Sequence, residues 1–201
     1  MKVINLTAKS VIYTSNAYYC IPDGSSPGHE GCGTLIDTGC DPLTLDELRS
    51  ISKTCGEQPI CRIIITHSHY DHSRILGLIR AEWSVQTFAY SAYVEGIDTI
   101  IKGGEQIPDL GITWEFIHVP GHSTDSVCVY CPEEEILFSG DTPLAIWGTE
   151  GTYELPFVRA FEELEKRPVR IIYPGHGDPI TSDCNLILTR SLRNLRKSRL
   201  I

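Results

Sequence analysis

Thr66-His67-Ser68-His69-Tyr70-Asp71-His72, preceded by Cys61-Arg62-Ile63-Ile64-Ile65, is the stretch on which the reading of this chain turns. The leading run is apolar and rich in β-branched residues, so it reads as a buried strand that ends at His67. In extended backbone, residues two apart point to one side, and His67 and His69 can therefore grip one ion together. The chain then turns at Tyr70. Asp71 and His72 fall where Ser73 to Arg80 begins a helix, a place where free N–H groups and the helix dipole favour a carboxylate. Imidazole nitrogens and a carboxylate that converge at a strand end suit zinc or a similar ion. Three of the chain's seven histidines stand in this one loop.

Three later segments repeat the arrangement. Val119-Pro120-Gly121-His122-Ser123 follows an apolar run from Ile112. Ser139-Gly140-Asp141-Thr142 follows Glu135-Ile136-Leu137-Phe138, and Tyr173-Pro174-Gly175-His176-Gly177 follows Val169-Arg170-Ile171-Ile172. Each sets a His or Asp just past a buried strand, in a turn rich in Gly or Pro. Sites of α/β chains gather at such strand ends because the strands hold loop residues in register.

The order H-x-H-x-D-H, P-G-H-S, G-D-T, P-G-H-G resembles the metallo-β-lactamase superfamily of hydrolases, and within it the small glyoxalase-II-like members. Leu35-Ile36-Asp37-Thr38-Gly39 also fits that pattern. The resemblance implies a single domain over residues 1–201, built as the four-layer αββα sandwich of that family. The residue pattern alone supports only an α/β or α+β chain. The resemblance further implies two divalent metal ions, zinc foremost, with iron or manganese as alternatives. His67, His69 and His122 would hold the first, Asp71, His72 and His176 the second, and Asp141 would bridge them. Two such ions less two carboxylates and one hydroxide leave about one positive charge, an electrophilic centre. Paired ions about 3.5–4 Å apart lower the pKa of a shared water and polarise a carbonyl or phosphoryl oxygen. Asp71 would be the catalytic residue, orienting the hydroxide and passing on a proton. Many relatives continue Asp-His with a small residue and Gly-Gly. Here Ser73-Arg74-Ile75-Leu76-Gly77 stands instead, and Arg74 becomes a candidate substrate contact.

The expected activity is metal-dependent hydrolysis of a thioester, ester or lactone in a small-molecule substrate, with phosphodiesters as an extension. Glyoxalase II proper grips glutathione with an added C-terminal helical domain, which this sequence does not show. The competing reading is an iron-dependent redox enzyme, since persulfide dioxygenases carry a similar H-x-H-x-D-H. Flavodiiron proteins share the fold but have Glu where His69 stands. A non-catalytic binding relative would be expected to have lost ligands, and this chain keeps the set.

With 201 residues the chain can bury one good core. Its hydrophobic share of 41% and charged share of 21% are those of a globular protein. No apolar run approaches the roughly 20 residues of a membrane span. Met1 to Thr7 lacks a signal peptide's features, so a cytoplasmic location without membrane association is expected. A net charge of −9 argues against broad nucleic-acid binding. Arg190, Arg193, Arg196, Lys197 and Arg199 cluster in the last helix-like segment, either as a solvated helix end or as a docking patch for an anionic substrate tail. Of the eight cysteines, Cys128 and Cys131 form a C-x-x-C that lies on a strand, so the thiols point to opposite faces and read as buried rather than redox-active. An even cysteine count permits disulfides, but no secretory signal supports them.

Strands are expected at Val3 to Thr7, Ser10 to Thr14, Ala17 to Ile21, Gly33 to Asp37, Gln86 to Ala89, Thr113 to Val119, Ser126 to Tyr130 and Ile136 to Ser139. Helices are expected at Pro42 to Lys53, after His72, from Tyr153 to Lys166, and from about Asn185 onward. Two loops could shape a pocket. One is the turn-rich insert Pro22 to Gly31, whose His29 reads as a plain loop residue. The other is Pro143 to Tyr153. Tyr153 could hydrogen-bond a developing oxyanion, or simply pack on the next helix, which is the favoured reading. His118 is expected to support the site from behind.

Overall fold

The computed structural model describes residues 1–21 and 32–201, so the Pro22–Gly31 insert and His29 lie outside the described residues. The chain forms two compact units, Met1–Ile101 and Lys102–Ile201. Among the described residues no helix is long and apolar enough to cross a membrane.

The first unit is built on a six-stranded sheet in chain order: β1 (Lys2–Asn5), β2 (Tyr18–Ile21), β3 (Gly33–Ile36), β4 (Ile60–Ile64), β5 (Gln86–Ala89) and β6 (Thr99–Ile100). β1, β2 and β3 pair antiparallel, and β3 to β6 run parallel. Parallel neighbours need crossovers, and helices supply them. Helix α1 (Leu43–Cys55) joins β3 to β4 and buries Leu45 and Leu48, one turn apart. The Asp41 carboxylate accepts from the Leu43 N–H at 3.0 Å and so satisfies a free donor at the helix start. Between β4 and β5 lie two short helices, α2 (Tyr70–Ser73) and α3 (Leu76–Glu82). Ile75, Leu76 and Ile79 join Leu35, Ile63 and Ile65 in one apolar cluster with α1. Cys32 and Cys61 are joined as a disulfide across β3 and β4, with Cα atoms 5.2 Å apart.

The second unit has a five-stranded sheet in the order β12-β10-β9-β8-β7. β7 (Gln106–Asp109), β8 (Ile112–His118), β9 (Val127–Cys131) and β10 (Ile136–Gly140) form an antiparallel meander, and β12 (Ile171–Pro174) adds parallel to β10. Pro108 sits in β7, the edge strand, where a missing N–H costs least. Helices α4 (Leu155–Glu165) and α5 (Cys184–Leu195) pack on this sheet. Phe157, Phe161 and Leu164 meet Leu188, Leu192 and Leu195 over Val119, Tyr130 and Leu137. A small parallel pair, β11 (Thr152–Tyr153) with β13 (Arg199–Leu200), closes the unit.

Three expectations from the sequence need correction. Ser10 to Thr14 is not a strand: Val11 is 96% exposed and Tyr13 78%, and the Ser10 hydroxyl donates to the Asp41 carboxylate at 2.5 Å instead of the segment joining a ladder. The helix after His72 is two helices, because the Ile75 N–H turns away to the Gly39 carbonyl at 3.4 Å. The helix expected from Tyr153 begins at Leu155, because Thr152 and Tyr153 are taken up by β11. Cys128 and Cys131 are both free and buried in β9, as their place on a strand suggested.

Candidate functional site

In the first unit the residues singled out from the sequence gather past the end of β4. Ile65 and Thr66 are buried, and His67 and His72 follow them into the interior while His69 stays exposed. The imidazole nitrogens His67 Nε2 and His69 Nδ1 lie 3.0 Å apart. The His67 and His72 rings sit with centroids 4.1 Å apart. Asp71 is half-buried, its carboxylate 3.8 Å from His72 Nε2. Three imidazoles and a carboxylate thus crowd one small volume.

Asp37 fixes this cluster. It follows β3 with φ of 57°, in the left-handed region that Asp tolerates better than most residues. Its buried carboxylate accepts three hydrogen bonds: from the Thr66 N–H at 2.7 Å, the Thr66 hydroxyl at 2.8 Å and His72 Nδ1 at 2.7 Å. A carboxylate only accepts, so His72 carries its proton on Nδ1 and presents the Nε2 lone pair. This carboxylate–histidine arrangement is the usual support of an imidazole that binds metal. The His72 main chain is also pinned, its carbonyl accepting from the Thr38 N–H at 2.8 Å. Asp37 was not among the site residues expected from the sequence. The signal that would have found it is the same one that found the others, an acidic residue directly past a buried strand.

Arg74 stands exposed at the end of α2, its guanidinium 5.4 Å from the Tyr70 ring centroid. With Ser68, Ser73, Tyr93 and Glu95 it lines an open cavity of about 600 Å³.

In the second unit His122, Asp141 and His176 come together from three loops. His122 Nε2 lies 3.4 Å from Asp141 Oδ2, and His176 Nε2 lies 3.6 Å from the same oxygen. Each loop is held by backbone. His118 Nε2–H donates to the Thr124 carbonyl at 2.9 Å, and the Val119 N–H donates to Ser126 at 2.9 Å, tying down the turn that carries His122. Gly140 bends β10 at φ of 50°, where the β10–β12 register shifts. Its carbonyl accepts from the Gly175 N–H at 2.8 Å, which couples the Asp141 and His176 loops. Paired 2.9 Å hydrogen bonds between Ile172 and Ile180 close the His176 loop.

Beside His122 and Asp141 opens a cavity of about 400 Å³, walled by Pro143, Tyr153, Phe157 and Ile201. Tyr153 stacks on Phe157, with centroids 5.8 Å apart and planes 20° apart. Its ring and hydroxyl lie against Gly151, where a Cβ would come within 2.7 Å of the hydroxyl. Phe157 in turn presses on Gly121, where a Cβ would meet its ring at 2.7 Å, so the residue before His122 has no room for a side chain. Tyr153 therefore packs against the next helix and lines the cavity at once.

The donor set suits a metal centre. Imidazole nitrogens and carboxylate oxygens match divalent ions of the zinc, iron and manganese range. Each unit thus presents candidate metal ligands at the strand ends of a mixed α/β architecture. The sequence profile of the metallo-beta-lactamase superfamily matches residues 28–176, and the chain belongs to that superfamily. It is 28% identical over 173 residues to an atrochrysone carboxyl ACP thioesterase of Aspergillus fumigatus, covering 82% of this chain and 53% of the relative. The thioesterase AacuM of Aspergillus aculeatus, of the same designation, is 30% identical over 160 residues, 79% of this chain and 51% of that protein. The chain thus spans about half the length of the curated relatives it matches. Among solved structures, ETHE1 from Myxococcus xanthus superposes with a TM-score of 0.72 at 16% identity, covering 96% of this chain and 85% of that one. The BLEG-1 B3 metallo-beta-lactamase gives 0.65 at 20% identity, covering 98% of both chains. These likenesses establish the metallo-β-lactamase fold, the α/β class expected from the sequence.

Proposed function

We propose that the chain is a dinuclear metal-dependent hydrolase of thioesters. The two units are read as halves of one domain, because the superfamily profile runs across both. His67, His69 and His122 are assigned to one ion, Asp71, His72 and His176 to the other, and Asp141 to both. The observation that carries the reading is the convergence of His122 Nε2 and His176 Nε2 on one Asp141 oxygen, at 3.4 and 3.6 Å, beside an aromatic-walled cavity. Thioester chemistry is favoured over lactone or phosphodiester cleavage because the curated relatives are named thioesterases.

When bound, two divalent ions would supply an electrophilic centre and acidify a water. The chain's own residues do the rest. Asp37 keeps His72 in the tautomer that offers Nε2. Asp71 orients the attacking water and accepts its proton. The cavity walled by Tyr153 and Phe157 receives the acyl part and turns its carbonyl toward His122 and Asp141. The water oxygen adds to the carbonyl carbon, the carbon–sulfur bond breaks, and the proton held by Asp71 passes to the departing sulfur. The products are a carboxylic acid and a thiol.

The test is a substrate panel of a neutral aromatic N-acetylcysteamine thioester, a lactone and a phosphodiester, run on metal-loaded protein. Thiol release that stops on chelation supports the reading. Oxygen uptake with a persulfide, without thioester cleavage, would replace it with an iron-dependent redox enzyme.

A further inference from the structure

The sharpest charge asymmetry in the chain lies at its last helix. Five of the 17 Lys and Arg residues fall between Arg190 and Arg199, while all 26 Asp and Glu stand before Cys184. The helix α5 buries Cys184, Leu188, Ser191, Leu192 and Leu195. At about 100° per residue, Arg190 and Arg193 fall roughly 60° apart on the opposite, exposed side, and Lys197, just past the helix end, is exposed as well. Arg196 is engaged, donating to Glu162 at 2.8 Å. Among the described residues, Arg190, Arg193, Lys197 and Arg199 make no ion pair and no side-chain hydrogen bond. The neighbouring acids of α4 are occupied: Glu163 pairs with Lys166 at 2.6 Å and Glu165 accepts from the Thr189 hydroxyl at 2.7 Å.

A helix end attracts a cation or two through its dipole. That accounts for Arg193 and Arg196, but not for a row that continues beyond the helix onto a strand. The row leads to the cavity. Arg199 lies in β13, opposite Thr152 of β11, and Ile201, two residues on, is in the cavity wall with Tyr153. The backbone there is fixed, with Ile201 N–H donating to Tyr153 at 3.1 Å and Leu155 N–H donating to Ile201 at 3.1 Å. A cationic strip on a chain of net charge −9 thus ends at the mouth of the cavity that holds His122 and Asp141.

We infer that this strip is the docking surface for an acidic carrier protein that delivers the acyl group as a thioester. The inference rests on the thioesterase reading above. Charge complementarity is the argument: a row of unpaired cations on a chain of net charge −9 selects an acidic partner and steers its approach. The strip's end at the cavity mouth explains why the partner's tethered acyl group would enter there. A neutral small-molecule thioester has no use for the strip.

The experiment compares the parent chain with R190Q/R193Q/K197Q, both metal-loaded. These three side chains are exposed and unpaired, so the variant should fold, and coincident thermal melts check that. Binding is read by fluorescence anisotropy of a labelled, phosphopantetheinylated acyl carrier protein, independently of turnover. Affinity is expected to fall at least about tenfold in the variant, and to fall in the parent when salt rises from about 50 to 200 mM. Hydrolysis of the neutral N-acetylcysteamine thioester is expected to stay within about twofold of the parent. Undetectable carrier binding by the parent, or equal binding by the variant, overturns the inference. So does a labelled DNA duplex that binds as tightly and is lost in parallel, because the strip would then be a general polyanion site. Absence of thioester cleavage by the parent would sink the hydrolase reading alone, since the binding arm does not depend on it.

Discussion

Asp37→Asn isolates the support of the candidate centre. The left-handed backbone at φ of 57° suits Asn as well as Asp, so the substitution brings no new backbone strain. Its effect comes from hydrogen-bond polarity. Oδ1 accepts from the Thr66 N–H at 2.7 Å, and Oδ2 accepts from the Thr66 hydroxyl at 2.8 Å and from His72 Nδ1 at 2.7 Å. An amide has one oxygen and one NH₂ to put in those places. If the NH₂ replaces Oδ1, it faces the Thr66 N–H, donor against donor. If it replaces Oδ2, it faces the protonated Nδ1 of His72. That second clash is relieved only when His72 moves its proton to Nε2, and the lone pair assigned to the metal is then gone. A buried donor left without an acceptor costs about 1–3 kcal/mol. For a chain of this size that lowers the melting temperature by roughly 2–12 °C. Loss of a carboxylate behind a metal-binding imidazole weakens metal affinity about 10–100-fold. Long-range ¹H–¹⁵N spectra of the imidazoles report the His72 tautomer, and competition against a chelator reports affinity. An Asp37→Asn protein that keeps the Nδ1–H tautomer, the parent's metal affinity and the parent's melting temperature would refute the reasoning.

Further outcomes follow from the same geometry. Asp141→Ala should weaken retention of both ions, whereas His176→Ala should empty mainly one; equal retention of two ions in Asp141→Ala, by elemental analysis, contradicts the shared role. Asp71→Asn, compared at equal metal content, should lower kcat by about 10²–10⁴ with a much smaller change in KM, and a near-parent rate would reduce Asp71 to a ligand. Burial pushes the Cys128 thiol up to about 12 and the Cys131 thiol to about 11, against an ordinary 9.0. Both should therefore resist iodoacetamide in the native chain at pH 8, while half-exposed Cys40 reacts, as peptide mass spectrometry would show. The folded pKa values are raised, so the stability these thiols lend is full below pH 9 and is lost as pH climbs through 11 to 12. Rapid native-state labelling of either thiol at pH 8 would contradict this.

Much of the architecture was legible in the sequence because the signals are local. The run Ile63-Ile64-Ile65 marks a buried strand, and the polar cluster after it marks a strand-end site. Leu45 and Leu48 mark the buried face of α1, and Phe157, Phe161 and Leu164 that of α4. What escaped depends on partners distant in sequence. Val11-Ile12-Tyr13 has β-branched composition, but among the described residues no strand pairs with it and its side chains stay in water. The break between α2 and α3 comes from Gly39, and the short start of α4 from pairing with Arg199 and Leu200, far along the chain. Cys32 and Cys61 are 29 residues apart and carry no local mark of their pairing. Asp37 carries the same strand-end signal as the ligands, but its three hydrogen bonds join it to Thr66 and His72, 29 and 35 residues away, and no local pattern shows them. Within each unit the residues expected as ligands do lie together, but which ion each holds rests on the resemblance, since local patterns carry no such information.

A single titration tests most directly whether the chain is a two-ion thioester hydrolase. Chelator-stripped chain is mixed with a neutral aromatic N-acetylcysteamine thioester, and thiol release is followed as zinc is added in sub-stoichiometric steps. The account predicts no release from the stripped chain and a rate that climbs to a plateau at about two equivalents of zinc per chain. A plateau at one equivalent would contradict the dinuclear assignment, and no thiol release at any zinc level would contradict the hydrolase itself.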